Sequence, residues 1–85
     1  MPENRLYVTV YTRENIIYQG PAVSVTSFNK EGKFDVLSKH MNFISIINDK
    51  AIIKDLQGVE REVPVDSGVM KVANNKVDIY LGMKK

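Results

Sequence analysis

Apolar and polar residues alternate along most of this chain, and turn-forming residues interrupt the pattern about every 8 to 10 positions, which is the spacing of strands in a small sandwich or barrel. The clearest segment is Leu6-Tyr7-Val8-Thr9-Val10-Tyr11. Leu6, Val8 and Val10 share one face, Tyr7, Thr9 and Tyr11 share the other, and β-branched and aromatic types dominate both. A polar turn, Thr12-Arg13-Glu14, leads into Asn15-Ile16-Ile17-Tyr18, so the first two strands read as a hairpin punctuated by Gly20-Pro21. Val23 and Val25 then alternate with Ser24 and Thr26, and Asn29-Lys30-Glu31-Gly32 forms a turn before Phe34 and Val36. Further strand-like runs fall at 43–47, 51–53, 59–65, 69–72 and 77–81, with Asn48-Asp49, Asp55 to Gly58, Asp66-Ser67-Gly68 and Asn74-Asn75 as separators. Asn74-Asn75 suits a two-residue hairpin turn, since asparagine tolerates the left-handed conformation. No stretch carries an apolar stripe at helical spacing. The expected fold is all-β, an antiparallel β-sandwich of about eight to ten short strands.

With 85 residues there is room for one core, so residues 1–85 are expected to form a single domain. Cysteine is absent, and packed sheets must hold the fold without disulfides or thiolate-bound metal. The 12 Lys and Arg and 10 Asp and Glu are interspersed, giving a net charge of +2 and an ordinary solvated surface. The longest apolar run, 43–47, is broken by Ser45 and falls far short of the roughly 20 residues needed to cross a bilayer. The first residues are polar and lack a signal-peptide apolar region. These features point to a soluble cytoplasmic chain without direct membrane insertion.

Residues able to do chemistry are few. His40 is the single histidine, and a triad or metal site around it would need carboxylates from distant turns. Asp49 and Asp55 lack the companions of a calcium loop and suit turns instead. The five glycines match no phosphate-cradling motif. No catalytic residue, metal ligand or cofactor is therefore expected. A small nucleic-acid-binding β-barrel is the alternative from another class, although acids are mixed among the bases and no basic groove stands out. Tyr7, Thr9 and Tyr11 read either as the wet, partner-facing side of the first strand or as a second buried face.

The run 25–40, with its strand, Glu31-Gly32 turn, short strand and Ser38-Lys39-His40 loop, resembles a segment of the F-type ATP synthase epsilon subunit, where a Pro-Gly-His loop closes the same order. The run 66–80 is similar to that family's Ser-Gly-Gly, apolar strand, tight turn and final strand. Val8 to Gly20, with Glu14 and a Tyr18-Gln19-Gly20 ending, is similar to its first hairpin. In this chain Ser38-Lys39 stands where the family usually has Pro-Gly, Asp35 where a glycine is common, and Asp66-Ser67-Gly68 where Ser-Gly-Gly is usual.

The resemblance implies the N-terminal β-sandwich of that subunit, in a short form ending at Lys85. Many members continue into a C-terminal helical hairpin linked to inhibition of ATP hydrolysis and, in some, to ATP binding; the 85 residues are expected to do neither. It further implies a non-catalytic rotor subunit of the central stalk, peripheral on the cytoplasmic face of the membrane, that couples ion translocation to ATP synthesis. Its partners would be the gamma subunit and the c-ring, with no nucleic acid. Glu31, Ser38, Lys39, His40, Met41 and Asn42 would face the c-ring, and Tyr11, Thr12 and Arg13 would face gamma.

Overall fold

The computed structural model describes residues 5–39 and 42–82. Seven strands form: β1 (Leu6–Tyr11), β2 (Ile16–Ala22), β3 (Ser24–Asn29), β4 (Gly32–Leu37), β5 (Phe43–Lys54), β6 (Glu60–Ala73) and β7 (Lys76–Leu81). They hydrogen-bond in the order β2-β1-β7-β6-β5-β3-β4. The period-two alternation of β1 has its expected effect: Leu6, Val8 and Val10 are buried in one core with Val25, Val36, Ile53, Met70 and Ile79.

The strand count falls below eight because β5 and β6 each span two of the expected runs. Asn48-Asp49 and Asp66-Ser67-Gly68 are not chain reversals. Ile47 pairs with Gly68 and Asp49 with Val65, so one residue of β5 stands opposite two of β6. Such a bulge bends both strands while the ladder continues. Asp49 takes the corner with a positive φ of 72°. Beyond the bend, β3 pairs with the second half of β5, whereas β7 pairs only with the second half of β6. One hydrogen-bonded sheet thus folds over on itself into two layers.

Side-chain contacts close both open sides of this sandwich. Phe34 of β4 meets Phe43 of β5 edge-on at 6.0 Å. On the opposite side the Arg61 guanidinium of β6 lies 5.9 Å from the Tyr18 ring of β2. Such ring contacts add to the area they bury.

One pairing is parallel. β1 lies beside β7 with Tyr7 opposite Lys76 and Tyr11 opposite Tyr80. The two strands are joined through the whole intervening chain, so no hairpin dictates their direction. Gly20-Pro21 lies within β2 instead of ending it. β2 is at the edge of the sheet, where a missing N–H breaks no ladder bond.

Candidate protein-docking site

The outward side chains of the layer built by β2, β1, β7, the second half of β6 and the first half of β5 can be read from the strand register. Ile46 stands opposite Val69, Val69 opposite Tyr80, Tyr80 opposite Tyr11, and Tyr11 opposite Ile16. These five residues form one apolar and aromatic row across five strands. Its ends are open: Ile46 is 73% exposed and Ile16 51%. At its centre the Tyr11 and Tyr80 rings stack at 4.8 Å with 7° between their planes. The Tyr80 phenol is raised above its ordinary 10.0, first by desolvation, then by the carboxylate of Asp78 and by Tyr11.

The other layer shows a different surface. Its outward residues include Lys33, Asp35, Lys50, Lys54, Glu60 and Glu62, placed by the β3–β4 and β5–β6 registers. Thr26 Oγ1 donates to Asp35 at 2.5 Å, and Lys50 approaches Glu62 at 4.0 Å. Mixed charges dispersed in water are a solvated face, and an exposed pair such as Lys50 and Glu62 contributes little.

Tyr11, Thr12 and Arg13 sit at the β1–β2 corner. Tyr11 belongs to the row, while Thr12 is spent on its own turn: its hydroxyl accepts from Asn15 N at 3.0 Å and Glu14 N at 3.3 Å and donates to Asn15 O at 3.2 Å. Arg13 is exposed. Of the first strand's outward trio, Tyr7 is 45% exposed but Thr9 only 4%. The face is thus wet at Tyr7 and buried at Thr9, because flanking strands bury a small central residue and leave a long terminal one exposed.

The loop residues divide into two groups. Glu31 lies in the β3–β4 turn, where its N–H donates to Asn29 Oδ1 at 2.9 Å. Ser38 and Lys39 follow the opposite end of β4. Lys39 takes a positive φ of 63°, as a glycine would, and its N–H donates to Asn75 Oδ1 at 2.6 Å. Asn42 Oδ1 accepts from Asn74 N at 3.1 Å. The loop is therefore tied on both sides to the β6–β7 turn, whose Asn74 and Asn75 have φ of 53° and 63°. His40 and Met41 lie outside the described residues. Glu31 stands apart, by a strand of six residues spanning roughly 16 to 20 Å.

Of the five residues in the row, sequence reasoning singled out Tyr11 alone; Ile16, Ile46, Val69 and Tyr80 were missed as site residues. Only the register unites them, and register depends on the bulge. Among the described residues no cluster of three His, Asp or Glu side chains is placed to hold a metal ion.

A family model for the β-sandwich domain of the ATP synthase delta/epsilon chain matches residues 5–81. The ATP synthase epsilon chain of Endomicrobium trichonymphae is 29% identical over 76 residues, which are 89% of this chain and 55% of that protein. That of Sulfurimonas denitrificans is 31% identical over 81 residues, 92% of this chain and 61% of that protein. The chain thus spans little more than half the length of these curated relatives. Among solved structures, a chain of the Euglena gracilis mitochondrial ATP synthase assembly of OSCP, F1 and c-ring superposes with a TM-score of 0.84 at 20% identity, covering 91% of this chain and 50% of that one. A chain of the Tetrahymena thermophila mitochondrial ATP synthase central stalk and c-ring gives 0.70 at 15% identity, covering 89% and 62%. These two likenesses are of fold. The family match over nearly the whole chain, on a sandwich of this topology, means that the protein belongs to the ATP synthase delta/epsilon chain β-sandwich family.

Proposed function

We propose that this chain is a non-catalytic rotor subunit of an F-type ATP synthase, seated in the central stalk and peripheral to the cytoplasmic face of the membrane. Its apolar row docks on the gamma subunit, and the loop containing Ser38, Lys39 and Asn42 meets the polar loops of the c-ring. Rotation of the ring is then passed mechanically through a bent, cross-braced sandwich. The observation that supports this reading is the contrast between the two outer faces. One has its charges paired or dispersed in water, while the other carries a row of apolar and aromatic side chains of the type that anchors protein interfaces. Membership of the family and likeness to central-stalk assemblies favour gamma as the occupant.

Titration calorimetry with purified gamma subunit from the same source tests this, with a single-stranded oligonucleotide as a parallel titrant. Saturable one-to-one binding to gamma alone is expected. Salt-sensitive binding to the oligonucleotide without binding to gamma would replace the stalk reading with the nucleic-acid one.

A further inference from the structure

The first half of β5 has β6 on one side and no strand on the other among the described residues. The β3 ladder reaches β5 only as far as the pair Phe28 and Asn48. The direction of the backbone groups along this edge follows from the β6–β7 turn. A two-residue turn with both φ positive makes Ala73 and Lys76, which flank it, a hydrogen-bonded pair. Hydrogen-bonded pairs alternate along an antiparallel ladder, so Ala73, Lys71 and Val69 address β7 while Val72, Met70 and Gly68 address β5. Opposite the last three stand Phe43, Ser45 and Ile47. Ile44 and Ile46 must then aim their N–H and C=O groups away from β6. The Ile46 carbonyl accepts from the Ser45 hydroxyl at 3.2 Å, and Ser45 Oγ in turn accepts from Asn29 Nδ2 at 3.2 Å. Among the described residues the N–H and C=O of Ile44 and the N–H of Ile46 have no hydrogen-bond partner.

Open edges invite pairing, and proteins blunt them with charge or proline. The β2 edge carries Pro21, the β4 edge Lys33 and Asp35, and the free side of the first half of β6 carries Glu60, Glu62 and Pro64. The segment Phe43-Ile44-Ser45-Ile46-Ile47 has neither device. Its edge opens on a groove of about 450 Å³ walled by Asn29, Lys30 and Glu31 of the β3–β4 turn. Ile44 and Ile46 are also the most exposed large apolar residues described, and Ile46 begins the apolar row.

We propose that the docked partner adds a short β-strand to this edge, extending the layer by one strand beside Ile44 and Ile46. A backbone in extended conformation is the one ligand whose N–H and C=O groups match an alternating row of the same groups. Its outward side chains are apolar and two residues apart, continuing the surface that Ile44 and Ile46 present. The inference rests on the gamma-docking reading and specifies how that contact is made.

Amide hydrogen exchange followed by NMR on the 85-residue chain, free and with gamma subunit, is the test. In the free chain the Ile44 and Ile46 amides exchange fast while those of Ser45 and Ile47 are protected; with gamma, Ile44 and Ile46 become protected as well. Ile44→Pro deletes an edge-facing N–H without touching the β5–β6 ladder, and it is expected to lower gamma affinity about tenfold at an unchanged unfolding midpoint. Tight gamma binding that leaves both amides fast would overturn strand addition and spare the docking reading. Absence of gamma binding would overturn both. Protection that rises with the concentration of the free chain would make a second copy the occupant, again overturning the proposal.

Discussion

Lys39 has a side chain in a backbone conformation that costs side-chain-bearing residues about 1 kcal/mol or more relative to glycine. Its φ of 63° is held by the N–H bond to Asn75 Oδ1. Lys39→Gly removes the Cβ strain and keeps the bond, so it is expected to stabilise the chain by up to about 1 kcal/mol, read as a higher urea midpoint at constant m-value. A lower midpoint would mean that the lysine side chain contributes contacts of its own. The left-handed turn at Asn74-Asn75 was legible because asparagine tolerates that conformation. The tie to Lys39 was not, because its partners are 36 residues apart. Tyr80 carries a prediction about pH. Its phenol titrates above 10.0 in the folded chain, so the unfolded chain loses this proton more readily. Stability from this group is complete below pH 10.0 and is lost as pH rises through the folded value. Asp78→Asn removes the repulsion from this carboxylate and leaves desolvation and Tyr11, so the midpoint should fall part of the way toward 10.0 in an ultraviolet titration of tyrosinate. An unmoved midpoint would exclude the carboxylate as a cause.

Among the elements, β1, β3, β4 and β7 follow from alternation and turn chemistry within a few residues of sequence. β5 and β6 do not, because Asn48-Asp49 and Asp66-Ser67-Gly68 have turn composition but serve as a bulge. Whether such a cluster reverses the chain or merely bends it is decided by the opposite strand, which local sequence does not contain. Gly68 is the tightest point of that corner. A Cβ built there would sit 2.9 Å from the Tyr80 carbonyl oxygen, 3.3 Å from Val65 Cγ1 and 3.4 Å from Leu81 Cδ2. The first neighbour is backbone within a ladder and cannot swing aside. Gly68→Ala is therefore expected to destabilise by about 1 to 3 kcal/mol through overpacking, seen as a reduced denaturation midpoint. Because Tyr80 belongs to the row, the same change should also weaken gamma binding. A variant of wild-type stability would show that β6 and β7 separate there at little cost.

For the whole molecule, the sandwich separates two surfaces of different physics. Tyr11 and Tyr80 lie at one end of the β1–β7 pair, and Lys39 is tied to Asn75 at the other. From Tyr80 back to Lys76 is four residues of strand, roughly 13 Å, which exceeds the range over which substitutions usually couple. Tyr11→Ala removes half of the ring stack and is expected to weaken gamma binding by more than about 1 kcal/mol. Since the row is apolar, that loss should change little between low and high salt, and binding through it should carry a negative heat-capacity change. Replacing Lys39 and His40 together by Ala should leave gamma affinity alone and loosen assembly with the c-ring, most at low salt where exposed charges are least screened. Combining the three substitutions should give additive losses within about 0.5 kcal/mol. Calorimetry with gamma and pull-down of the c-ring across a salt series separate the two contacts. A salt-dependent Tyr11→Ala effect, or a salt-independent effect of the loop pair, would show that the two contacts have been assigned to the wrong surfaces.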